Sequence, residues 1–321
     1  MPESALSRAR LFLLPALLIA EIIVFASLSP RFLTADNFAN IVINASDLAL
    51  IAAGLTLVII LGGIDVSTGY AVGVVAWIAA KLMSAGQPAI VVVLVSLVAG
   101  ALLGSINGLL TTVAKVPPII ATLGMAAVFQ TVLFGLWNSN DLFATPVAPL
   151  LSGQRFLGVP MVLAIVIVVY ALLWWLSRKR RFGRNVYAIG SNPEAASLSG
   201  IRSRLVVFAC YAILGLLVGL AATIYIGRVG VVQASTGNEL TLLAIAAVVV
   251  VGGTSILGGE GSVLRTLGGL AFIVVLQNGI VLAGVPPLWN GLIIGLTILL
   301  AVSVDVLAKR GDSRKLFRRL A

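Results

Sequence analysis

The sequence predicts an all-α polytopic membrane protein with about ten transmembrane helices. Three observations lead there. Of 321 residues, 60% are hydrophobic and 10% charged, where an ordinary soluble domain carries roughly 25% charged residues. The mean hydropathy is +1.15. Apolar stretches near the ~20 residues needed to cross the hydrocarbon core recur from Leu11 to Leu307. The period-two alternation of a β-barrel is absent from them, so closed helices must satisfy the backbone.

In chain order the stretches lie near 11–28, 41–61, 68–83, 88–111, 119–137, 160–176, 205–226, 241–257, 264–283 and 288–307. The first follows Arg8 and Arg10, as the core of a signal peptide would. Its apolar run exceeds the usual ~7–15 residues and no clear small-x-small cleavage site follows, so it reads as a membrane helix. The third is short for a crossing. Between the sixth and seventh lies a long basic loop, Ser177 to Arg204. Residues 1–321 thus read as one transmembrane domain bearing the loop 177–204 and a polar tail, 308–321.

Basic residues orient this arrangement. With a cytoplasmic N-terminus and ten crossings, 17 of the 21 lysines and arginines fall on the inner side. Seven of them lie in the central loop. Only Arg31, Lys81, Arg155 and Arg228 fall outside. Basic residues stay on the cytoplasmic side of short loops, so both termini are expected there. The net charge of +10 is therefore topology, and no soluble face is long enough to bind nucleic acid.

Catalysis is not expected. The chain has no histidine, which removes histidine relays and histidine metal sites. No GxxxxGK[ST] phosphate loop is present; Gly258-Gly259-Glu260-Gly261-Ser262 lacks the lysine. No carboxylate pair sits at a hydrolytic spacing. Cys210 is the single cysteine, placed in a helix, and permits no intrachain disulfide. No metal site and no cofactor held by this chain are expected.

Acidic groups at membrane depth are costly and count as functional candidates. Four qualify: Glu21, Asp47, Asp65 and Asp305. Asp65 and Asp305 stand at predicted helix ends, within reach of water or headgroups. Glu21 stands alone in mid-helix. A proton-coupled transporter would show a chain of such groups.

The central loop carries a helix start at Ser191-Asn192-Pro193-Glu194. Asn192 suits the N-cap, Pro193 the first helical position, and Glu194 the positive end of the helix dipole. Gly200 suits the left-handed residue that ends a helix. The predicted helix, Pro193–Ser199, is too short to be stable alone and must dock. Ala195, Ala196 and Ser199 give it a small-residue face. The basic run Arg178 to Arg184 suits anionic headgroups, as juxtamembrane clusters do.

Glu194-Ala195-Ala196-x3-Gly200 resembles the coupling loop of ABC importer permeases. The wider run Gly183 to Ala196 resembles the branch that includes ribose, xylose and galactose permeases. Three further stretches agree in order. They are Gly54 to Ser67, Asn107-Gly108-Leu109 through Val116-Pro117-Pro118 to Ala121-Thr122-Leu123-Gly124, and Gly252-Gly253-Thr254-Ser255 to Ser262. The likeness spans nearly the whole chain. Ribose-type members often carry Arg-Gly where this chain has Gln130-Thr131, so rhamnose and autoinducer-2 stand equally open.

The resemblance implies a permease subunit of an ATP-driven importer in the bacterial inner membrane, moving a monosaccharide or related small sugar. It implies a dimer with a second copy or a paralogue, a cytoplasmic ABC ATPase that binds the ATP, and a periplasmic sugar-binding protein. Pro193, Glu194, Ala195, Ala196, Ser199 and Gly200 would couple to the ATPase. The alternative is a standalone secondary transporter or channel for a small polar solute.

Gly100, Gly104 and Gly108, with Gly69/Gly73, Gly215/Gly219 and Gly291/Gly295, are small-residue pairs at a spacing of four, which lets helix backbones approach. Asn107-Gly108…Val116-Pro117-Pro118 is echoed by Asn278-Gly279…Val285-Pro286-Pro287. The echoes end on opposite sides of the predicted topology, as an inverted repeat would. A sugar path needs hydrogen-bonding groups and often an aromatic face. Asn44, Asp65, Trp77, Gln130, Gln277 and Asn278 are the candidates, each equally suited to tying helices together. Trp137, Trp174-Trp175 and Trp289 sit at helix ends as interfacial anchors do.

Overall fold

Helix α2 (Ala35–Ile60) is the axis of the molecule, with almost every side chain from Ala45 to Ile60 buried. A run apolar on all sides must be enclosed on all sides. The computed structural model describes residues 5–144 and 155–286, with positions 289, 291–292, 295–296 and 299. The predicted tenth stretch, Asp305 and the tail 308–321 lie largely or wholly outside the described residues.

The remaining helices follow in order: α1 (Ala5–Leu28), α3 (Thr68–Ser84), α4 (Ala89–Thr112), α5 (Pro118–Trp137) and α6 (Val162–Lys179). After α7 (Arg181–Ser191) and α8 (Pro193–Leu198) come α9 (Ser203–Val229), α10 (Asn238–Ile245) and α11 (Val263–Leu282). The molecule is built almost wholly of helix. Among the described residues, α2, α4, α5, α6, α9 and α11 are long and apolar enough to cross a membrane, six in all. Shorter apolar segments lie in α1, α3 and α10. Helix α3 is short because it is internal: Val72, Val75, Ala76 and Ala79 are fully buried.

Helices α4 and α9 meet along their glycines. A Cβ on Gly100 would stand 2.8 Å from the Gly219 Cα, and one on Gly104 2.8 Å from the Gly215 Cα. Backbones this close exchange dispersion contacts that larger side chains would prevent. Gly69 and Gly73 instead face the turn before α10, with Gly73 also against Leu133 of α5, and Thr241 Oγ1 of α10 accepts from the Gly69 amide at 2.6 Å. Nothing described lies within 4 Å of a Cβ placed on Gly291 or Gly295, so those two mark no packing face among the described residues.

The eighth predicted stretch, 241–257, ends early. Helix α10 passes into a π-helical turn, Ala246–Val251, and stops at Gly252-Gly253. The Gly252 amide donates to the Ala247 carbonyl at 2.9 Å. This wider turn lets Gly269 of α11 come within 2.7 Å, Cβ position to amide, of Gly252.

The connections gather at two ends. At one, short strands β1 (Leu142–Phe143) and β4 (Val231–Val232) pair antiparallel. Strands β2 (Arg155–Phe156) and β3 (Val159–Pro160) form a hairpin there. Asp141 accepts from Trp137 Nε1 at 2.9 Å and from Gln233 Nε2 at 3.0 Å. The bonds from Gln233 and Trp137 hold its carboxyl below the usual carboxylate range. Arg155 pairs with Asp36 at 2.6 Å. The other end collects the α2–α3 and α8–α9 connections, α7 and α8, and the loop 252–262.

Candidate functional site

The central loop folds into two helices rather than one. Helix α6 breaks at Arg180, whose backbone is extended. Gly183 then lies against the Ser177 backbone, which turns α7 sharply. Val186 and Ile189 are buried while Arg181 and Arg184 face out. Sequence reading missed α7, although Phe182, Val186 and Ile189 carry its i, i+4, i+7 spacing.

Helix α8 follows the predicted signals one residue shorter. Asn192 Oδ1 accepts from the Ala195 amide at 2.9 Å, and Pro193 opens the helix. Ser199 is the C-cap, and Gly200 adopts φ +79°. The expected small-residue face needs correction. Ala196 is buried against the helical core, because the short helix must anchor itself somewhere. Pro193, Glu194, Ala195 and Ser199 remain exposed. The side chain that stands out is Leu198, 90% exposed, which sequence reading passed over.

Three chain segments meet behind α8. The Ile60 carbonyl, left over at the end of α2, accepts from the Gly259 amide at 2.8 Å. Gly190, at the end of α7, packs on the same carbonyl so closely that a Cβ would overlap it. Tyr187 Oη donates to the Gly261 carbonyl at 3.0 Å. Gly259 has φ +76°, a conformation that glycine adopts freely. The glycine-rich stretch 252–262 is thus a clasp between α7 and the axial helix. Helix α8 is thus joined to α2 by way of α7 and its backbone contacts.

Asp65 also requires correction. It was expected within reach of water, yet it is 2% exposed. Its Oδ1 accepts from the Ser67 amide at 2.8 Å and from Ser67 Oγ at 2.7 Å. Its Oδ2 accepts from Asn107 Nδ2 at 3.0 Å. The α2–α3 loop turns inward at Asp65, so a position just past a helix end is closed to water here. Among the described residues no cation pairs with it. The network ties the α2–α3 loop to α4.

The other polar candidates divide. Asn44, Gln277 and Asn278 come together with Ile41, Val274 and Val281 around a cavity of about 170 Å³ between α2 and α11. Asn278 is committed: it and Asn37 exchange two amide hydrogen bonds, both 2.9 Å. Asn44 Oδ1 accepts from Arg228 at 3.0 Å, beside the Arg228–Asp47 ion pair at 2.6 Å. Gln277 makes no side-chain hydrogen bond among the described residues. Trp77 and Gln130 lie apart from this cavity. Trp77 is half-buried with the Lys81 ammonium 5.3 Å from its ring centre, and Gln130 is exposed. Asn44 too is exposed on the single chain. Asn44 and Gln130 are thus not enclosed within the single chain. Glu21, expected to lie alone, is buried with neither oxygen bonded among the described residues.

A glycine-tight helix bundle with a short helix offered at one end is the architecture of a transport permease. Residues 37–302 match the family described as "Branched-chain amino acid transport system / permease component". The chain belongs to this family of multi-pass membrane permeases, which is not a class of enzymes. It is 36% identical over 298 residues to the ribose import permease of Escherichia coli strain K12, covering 90% of this chain and 91% of that one. It is 36% identical over 282 residues to a probable ABC transporter permease of Sinorhizobium fredii, covering 87% and 84%. It is 32% identical over 279 residues to the autoinducer 2 import system permease of Salmonella typhi, covering 86% and 80%. No solved structure matches the chain significantly.

Proposed function

We propose that this permease subunit of an ABC importer translocates a monosaccharide or related small sugar across the bacterial inner membrane. A periplasmic binding protein delivers the sugar. A cytoplasmic ATPase binds the ATP and docks on α8, and two permease chains, identical or paralogous, form the path. Residues 1–321 act as one ten-span domain with both termini cytoplasmic, and the Asn107 and Asn278 echoes mark an inverted repeat. The relatives named for ribose and autoinducer 2 support the sugar class. The crowding of Arg178–Arg184, Arg202 and Arg204 at the α8 end supports the orientation.

The observation that carries the reading is α8 itself, exposed at its tip and tied through Gly190 to Ile60. Docking of Leu198 into a partner groove would remove an exposed leucine from water, worth about 2 kcal/mol. Leu198→Glu should therefore weaken ATPase association about thirtyfold or more, with membrane insertion unchanged. Ala195→Glu should act in the same direction. Co-purification of a wild-type amount of ATPase with both variants would remove α8 from the interface.

The amide-lined cavity is the proposed sugar contact, with Gln277 as the free group and Asn44 beside it. Asn278 and Asp65 shape the path by holding helices in register. Trp77 and Gln130 stand on surfaces that a second permease chain or lipid would cover.

A further inference from the structure

We propose that the elbow between α6 and α7 binds the phosphodiester headgroup of an anionic phospholipid. The elbow encloses an open cavity of about 580 Å³ whose wall carries Lys179, Arg180, Arg181 and Arg184 beside Trp175 and Phe182. Gly183 makes it possible: its contact with the Ser177 backbone folds the start of α7 back over the end of α6, so cations from two helices converge. The Arg180 guanidinium stacks 4.0 Å above the Trp175 ring. That contact fixes one cation at the rim.

Like charges gathered around one cavity repel one another, and salt screens that repulsion only beyond ~8 Å. None of the four forms an ion pair among the described residues, where the ion pairs are Arg155–Asp36 and Arg228–Asp47. The cavity thus suits an anion that the described residues do not supply. Guanidinium groups suit phosphate oxygens by geometry as well as charge.

The apolar surroundings select a lipid over a free phosphate. Val168, Leu172 and Trp175 stand at i, i+4 and i+7 on the outer face of α6 and are all exposed. The stripe leads directly into the cavity wall. An acyl chain laid along it would place its phosphodiester among the four cations. The site depends on neither the sugar nor the ATPase.

The test uses the full-length chain in nanodiscs. Thermal stability and lipid retained in native mass spectrometry are compared between phosphatidylcholine alone and phosphatidylcholine with phosphatidylglycerol. Wild type should gain stability and keep phosphatidylglycerol. Arg180→Gln/Arg184→Gln should lose the gain, with retention falling about fivefold per cation removed. Lys115→Gln, an exposed cation at the same end, should behave as wild type. If the double variant is already less stable in phosphatidylcholine, Lys179→Gln replaces it in the comparison. An undiminished gain in the elbow variants, or an equal loss in Lys115→Gln, overturns the site. The same gain from inorganic phosphate in phosphatidylcholine nanodiscs overturns the lipid as its ligand.

Discussion

Gly190 of α7 rests directly on the backbone carbonyl of Ile60 at the end of α2. The same oxygen accepts from the Gly259 amide at 2.8 Å, so one carbonyl joins three segments. Gly190→Ala forces a methyl into that oxygen, and α7 must lift away. Overpacking of this kind costs about 1–3 kcal/mol. The expected outcome is a permease that still binds its ATPase but hydrolyses more ATP per sugar moved. Unchanged stoichiometry would show that motion reaches α2 by another route.

Gly200 ends α8 at φ +79° with open space around it. Gly200→Val meets no steric neighbour, only the conformational penalty of a β-branched residue at positive φ. The variant should insert normally and transport more slowly. Gly200→Asn, which tolerates this region, should restore most of the rate, as initial uptake would show.

Arg228 reaches from α9 to Asp47, which is 1% exposed, while the arginine retains 23%. Removing one partner of a fully buried pair costs about 3–5 kcal/mol; partial exposure here lowers the expectation to about 2 kcal/mol. Arg228→Gln should depress the thermal midpoint. Asp47→Asn/Arg228→Gln should recover part of the loss, because the uncompensated carboxylate is gone. A double variant less stable than the sum of the singles would contradict this.

Asn278→Ala and Gln277→Ala should differ. The first leaves Asn37 without its reciprocal partner and should cost about 1–2 kcal/mol in stability, with sugar preference intact. The second removes an amide with no described partner and should lower uptake with little change in stability. Measuring both quantities for both variants separates a helix tie from a sugar contact.

Much of the fold could be read in advance, and the misreadings have causes. Apolar length located the helices because lipid demands it. It failed at α10, where the valine run continues past the point at which the backbone widens into a π turn. Arg181, Arg184 and two glycines hid α7 from a hydropathy reading, although its apolar spacing was present. Asn192, Pro193 and Gly200 announced α8 because capping is local chemistry. Burial of Ala196 and exposure of Leu198 depend on how α8 packs on the rest of the bundle, which local chemistry does not see. The Asp47–Arg228 pair joins residues 181 apart, and no periodicity reports such a contact.

On the proposed function, a separate ATPase drives this permease through α8. Proteoliposomes holding the permease, its ATPase and its binding protein test it most directly, with labelled sugar outside and ATP or an ion gradient as the energy source. Uphill uptake is expected with enclosed ATP, none from a proton or sodium gradient, and loss of the ATP-driven uptake in Leu198→Glu. Concentrative uptake by the permease alone on an ion gradient would contradict it.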